Sequence, residues 1–91
     1  MIRNLVIEAL EEIRGFEGVT PVIRINEILQ RLAEHDVLAD NELLSRYANL
    51  YRLTFYVGDI NEPVEVGHVQ YTMEPHAKEI EICEVRIYEE E

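Results

Sequence analysis

Apolar residues recur at helical spacing in the first segment of the chain. Ile2, Leu5, Val6, Ala9, Leu10 and Ile13 fall at i, i+3, i+4, i+7, i+8 and i+11, which sets them on one stripe of an α-helix over about residues 2–14. Arg3, Asn4, Glu8, Glu11 and Glu12 occupy the opposite face, and Gly15 suits a helix C-terminal cap. In "TPVIRINEILQRLAEHD", Thr20 as N-cap and Pro21 at the first helical position precede Val22, Ile25, Leu29 and Leu32, giving a second helix over about 21–35. The alternative is a short strand "PVIRI" followed by a shorter helix capped by Asn26. The unbroken apolar spacing favours the single helix, although Val22, Ile23 and Ile25 are β-branched and weaken that preference. A third helix is expected over about 41–50 in "LADNELLSRYANLYRL", with Asp40 as N-cap, Glu42 in the first turn and Leu43, Leu44, Tyr47 and Ala48 on one face.

From about residue 51 the period changes to two. "YRLTFYV" (51–57) alternates Leu53, Phe55 and Val57 with Arg52, Thr54 and Tyr56, and its β-branched and aromatic content suits a strand. "GDINEP" reads as a loop, and strands over about 64–73 and 79–89 flank the turn "EPHAK". The final "EEE" reads as a solvated end. The last strand contains a conflict, because Ile80 and Ile82 lie at even positions while Cys83, Val85 and Ile87 lie at odd ones. Either a β-bulge near Cys83 and Glu84 restores the register, or both faces of the strand are covered. Val64 and Val66 against Val69, Tyr71 and Met73 repeat the pattern one strand earlier. The fold class expected from these elements is α+β: three N-terminal helices packed on a C-terminal three-stranded antiparallel β-meander, in one domain spanning 1–91.

Composition narrows the functional classes. Ninety-one residues with 47% hydrophobic and 30% charged side chains describe an ordered domain with one core, too small to enclose a deep active site. Charges run through "MIRNLVIEALEEIRG" where a signal peptide needs an apolar stretch, no segment is long enough to span a membrane, and a lone cysteine makes no internal disulfide. These features set a cytoplasmic location as the expectation. Nineteen acidic residues oppose eight basic ones for a net charge of -11, divided as -4 over residues 1–50 and -7 over 51–91. Such a field repels nucleic acid and anionic membranes and steers a basic protein toward the C-terminal half.

Histidine and cysteine cluster in "GHVQYTMEPHAKEIEIC". A hairpin turning near residues 75–77 would set His68 opposite a residue near 83 or 84, making His68 and Cys83 cross-strand neighbours. His76 at the turn then lies on the order of 25 Å away along the strand, beyond the reach of one metal ion. No metal site is therefore expected. Cys83 lies beside Glu81 and Glu84, acids that oppose the thiolate a nucleophile needs, and His35 near the end of the second helix suits a capping role. No serine-nucleophile motif, phosphate-binding glycine loop or HEXXH motif is present. The order of elements matches a winged helix, but the recognition helix would be "DNELLSRYANLYR", where Arg46 and Arg52 are balanced by Asp40 and Glu42, and "GDINEP" would be an acidic wing without a basic residue, against the basic surface that DNA demands.

The sequence thus points to a non-catalytic, cofactor-free protein-interaction domain, an inhibitor, immunity-type protein or regulatory subunit, engaging a basic partner through Asp59, Glu62, Glu65, Glu79, Glu81 and Glu84. The alternative is a structural domain that forms a homodimer through a free sheet face carrying Tyr56, Tyr71 and Tyr88. A winged-helix-like nucleic-acid binder ranks below both.

Overall fold

The computed structural model describes residues 2–88. Helix α1 (Ile2–Arg14) is followed by strand β1 (Val19–Pro21), helix α2 (Val22–Ala33) and strands β2 (Leu38–Ser45), β3 (Leu50–Val57), β4 (Val64–Thr72) and β5 (Glu79–Ile87). The strands form one antiparallel sheet in the order β1-β5-β4-β3-β2. Two helices on a five-stranded sheet replace the expected three helices on a three-stranded meander. The expected end of the last strand, residue 89, and the final "EEE" lie outside the described residues.

The third helix is the main correction. Residues 38–45 pair with β3 from Leu38 opposite Tyr56 to Leu43 opposite Tyr51, and Arg46 to Asn49 form the connecting turn. Asn49 adopts φ 53°, a left-handed conformation that asparagine tolerates well, and the Ala48 N–H donates to Ser45 Oγ at 3.3 Å. The residues that make a plausible helix face do not form a core: Leu43 is 43% exposed and Tyr47 fully so. "VLADNEL" also carries a period of two, and strand β3, rich in β-branched and aromatic residues, needs a hydrogen-bonding neighbour on that side. Tertiary pairing therefore overrides the local helical pattern. It also removes the element order on which the winged-helix analogy rests.

The start of the second helix is corrected more finely. Val19–Pro21 pairs with Glu79–Glu81, and Thr20, expected as an N-cap, is buried in that strand opposite Ile80. The helix starts at Val22, and no side chain caps it. Pro21 fits because it ends a short strand at the sheet edge, where its missing N–H costs no ladder bond.

The register conflicts resolve through bulges. Gln70 faces Glu84 and Tyr71 faces Ile82, leaving Cys83 as the extra residue of β5. Ile80 and Ile82 thereby share a face with Val85 and Ile87, all four packed in or against the core. Val66 plays the same part in β4, since Phe55 faces Gly67 and Tyr56 faces Glu65. Val66 is fully buried, while Val64 stays exposed. Both helices lie on one face of the sheet. Val6, Ala9, Leu10 and Ile13 of α1 and Ile25, Ile28 and Leu32 of α2 pack with Leu53, Phe55, Val69, Tyr71 and Ile80 into one core. No helix is long and apolar enough to cross a membrane among the described residues.

Candidate functional site

With both helices on one side, the other face of the sheet is left open, and its residues follow from the strand register. Asp40, Thr54, His68 and Arg86 form one cross-strand row, and Glu42, Arg52, Gln70 and Glu84 form the next. Tyr56 and Glu65 lie opposite each other at one end of the face, and Glu79 and Glu81, flanking the core residue Ile80, lie at the other. Asp40, Glu42, Glu65, Glu79, Glu81 and Glu84 thus share this face with the guanidinium groups of Arg52 and Arg86. Among the described residues, the Arg–carboxylate ion pairs lie on the helical side, Arg14 with Glu11 and Arg31 with Glu12. Among the described residues, the acids of the open face have no such partner.

His68 is the most deeply placed polar group on this face, only 6% exposed although no helix covers it. Long neighbours shield it. Tyr88 Oη lies 3.0 Å from its Nδ1 with the two rings edge to face, and Arg86 stacks over Tyr88 at 5.7 Å. Its Nε2 is buried and makes no hydrogen bond; Glu84 Oε2, at 3.7 Å, is beyond hydrogen-bonding distance. The imidazole is therefore oriented by Tyr88 and faces a carboxylate, but no cysteine or serine is placed beside it to serve as a nucleophile.

The sequence cluster that raised a metal or catalytic site is dispersed. His68 stands opposite Arg86, not Cys83, because the register beside the turn, Thr72 opposite Glu81, already carries His68 past Glu84 and the bulge adds one more residue to β5. Cys83 is exposed, its thiol directed at the Glu81 carbonyl oxygen at 3.7 Å. His76, in the turn with φ 67°, joins neither. No three His, Cys, Asp or Glu side chains among the described residues are grouped to hold a metal ion.

Of the acids expected to meet a partner, Glu65, Glu79, Glu81 and Glu84 come together on the open face, while Asp59 and Glu62 lie in the exposed β3–β4 loop. The three tyrosines do not share a surface. Tyr56 and Tyr88 are on the open face, whereas Tyr71 is on the helical side, 8% exposed, stacked on Tyr51 with ring centroids 5.4 Å apart and donating to Asn41 Oδ1 at 2.9 Å. Its odd position in β4, in phase with the core residue Val69, carries that signal. Asp40 and Glu42 were missed as surface acids because they read as a helix cap and first turn; the alternation of Val37, Ala39, Asn41 and Leu43 with Leu38, Asp40 and Glu42 is the pattern that finds them.

The open face also affects ionisation. Burial, followed by Glu65, Asp40, Glu42 and Tyr88, raises the Tyr56 phenol above its ordinary value of 10.0. Burial raises Tyr71 in the same direction. A raised phenol holds its proton more tightly in the folded chain than in the unfolded one, so this contribution is complete below pH 10 and is lost as pH rises beyond it. Thermal unfolding between pH 8 and pH 11 is expected to show a falling midpoint at the alkaline end, with a shallower fall in Tyr56→Phe and in Tyr71→Phe; an unchanged slope in both variants would remove these phenols as the cause.

On the helical side, a cavity of about 550 Å³ lies between α2 and the sheet. Ile25, Leu29, Leu53, Phe55 and Met73 are among its walls, none of its lining residues is charged, and it reaches β2 at Ala39 and Asn41. In comparisons with known proteins, the chain matches no family model, no curated protein and no solved structure.

Proposed function

We propose that the chain is a non-catalytic protein-interaction domain that engages a basic partner through the open face of its sheet, as an inhibitor, an immunity-type protein or a regulatory subunit. The observation that carries this reading is the gathering of Asp40, Glu42, Glu65, Glu79, Glu81 and Glu84 on one face without Arg or Lys ion-pair partners among the described residues. Their mutual repulsion disfavours the free state slightly, and a cationic partner relieves it while being steered in by the long-range field. A cytoplasmic setting belongs to the proposal, since an exposed, unpaired thiol such as Cys83 suits a reducing compartment. Homodimerisation through the same face is a weaker reading, because Tyr71 is withdrawn into the helical side and two such faces would oppose acid to acid.

Affinity capture at low salt with the chain and with its Glu79→Lys, Glu81→Lys, Glu84→Lys variant tests the proposal. The expected outcome is a small set of basic proteins retained by the former, released as salt rises, and lost by a variant whose circular dichroism is unchanged. Retention of the same proteins by the charge-reversed variant would count against the open face.

A further inference from the structure

The two edges of the sheet differ in a way that singles out one of them. β1 offers three residues ending in Pro21, a short edge of the kind that discourages further pairing. β2 is the other edge, eight residues long, free of proline and exposed from Leu38 to Leu43, so its outward backbone N–H and C=O groups lack a strand partner. Its side chains alternate in chemistry. Asp40 and Glu42 stand on the open face, opposite Thr54 and Arg52, and Arg52 makes no ion pair with Glu42. Ala39, Asn41 and Leu43 stand on the helical face, where Ala39 and Asn41 border the uncharged cavity beneath α2.

We propose that β2 is a docking edge for an extended segment of a partner protein in which basic and apolar residues alternate. Added antiparallel or parallel about 4.8 Å outside β2, such a segment completes the edge with main-chain hydrogen bonds. Its basic side chains face Asp40 and Glu42, and its apolar ones lie over Leu43 and over Ala39, which borders the cavity. A second copy of this chain is the poorer occupant, because a two-fold β2–β2 register centred on Asp40, Asn41 or Glu42 sets acid against acid. This inference rests on the basic-partner reading above and gives that partner a conformation and a residue pattern.

The test uses synthetic peptides as long as β2, eight residues: one alternating Lys and Val, one with the same Lys and Val in two blocks, and one alternating Glu and Val. Isotope-labelled protein is titrated with each at low salt, followed by amide shifts and hydrogen exchange. The Lys/Val alternating peptide is expected to bind most tightly and to slow exchange at β2 amides. Asp40→Lys with Glu42→Lys is expected to weaken it about tenfold, because two exposed attractions become repulsions, and the milder Asp40→Asn with Glu42→Gln to weaken it less. The charge-matched control Glu8→Lys with Glu27→Lys, on the exposed helical surfaces, is expected to leave binding near that of the parent. If the block peptide binds equally well and the shifts map to Glu79, Glu81 and Glu84 instead of β2, the docking edge is overturned while the acidic-face reading stands. If neither Lys peptide binds, both are overturned.

Discussion

Replacing Phe55 by alanine is expected to lower the unfolding free energy by about 3–5 kcal/mol. Phe55 is 1% exposed and heads the fully buried side chains in size. It lies in the third of five strands with Ala39 across from it on one side and Gly67 on the other, two of the smallest neighbours a sheet can provide. The ring therefore fills space that no adjacent side chain can reach, and it also forms part of the wall of the cavity beneath α2. A domain of this size has a total stability of about 5–15 kcal/mol, so the variant is expected to stand close to its unfolding limit. Urea titration checks this through the transition midpoint, with the slope unchanged. A loss below about 1 kcal/mol would mean that α2 settles into the vacated space.

Gly67→Ala is the second large effect, and it acts by overpacking. A Cβ at this position would run into the carbonyl oxygen of Arg86 on β5 and would lie 2.8 Å from Leu10 Cδ1 on α1. The first obstacle is backbone in a paired strand, which cannot move without disturbing the ladder, and the second belongs to a side chain only 1% exposed. Alanine normally improves a strand position by about 0.5–1 kcal/mol relative to glycine. Here the collision is expected to reverse the sign and destabilise by about 3 kcal/mol or more. Thermal and urea unfolding of the variant provide the measurement, and a gain in stability would show that α1 does not rest as closely on β4 as Gly67 indicates.

These two positions bear on function through the same piece of architecture. The close seat of α1 over Gly67 and the stand-off of α2 over Phe55 leave the helical face filled on one side and grooved on the other, next to β2. The opposite face carries no helix, and there the acids gather. The candidate surfaces thus arise from how the helices are distributed over the sheet.

Much of this fold is legible in local periodicity. The stripe from Ile2 to Ile13, the apolar spacing from Val22 to Leu32, and the alternation in β3 describe segments whose side chains have one dominant environment, so the pattern and the structure agree. The alternate register in "EIEICEVRI" likewise announced a bulge or a second covered face, and the pairing of Gln70 with Glu84 and Tyr71 with Ile82 settled it as a bulge at Cys83. The acidity that motivates the functional proposal is visible in composition alone.

Tertiary structure decided the rest. "DNELLSRYANL" offers a helical face, while "VLADNEL" offers a pleated one, and the choice fell to pairing with β3, whose buried Leu53, Thr54 and Phe55 lie inside the sheet and hydrogen-bond to a strand formed from the preceding residues. That choice converted Asp40 and Glu42 from a helix cap into acids of the open face and created the β2 edge. It also set Asn41 where its Oδ1 accepts a hydrogen bond from the Tyr71 phenol. Sequence by itself determined which segments had a hydrophobic face and how much negative charge the chain carries; the pairing of strands distant in sequence determined which residues share a surface, because adjacency across a sheet depends on register and bulges that no local period contains.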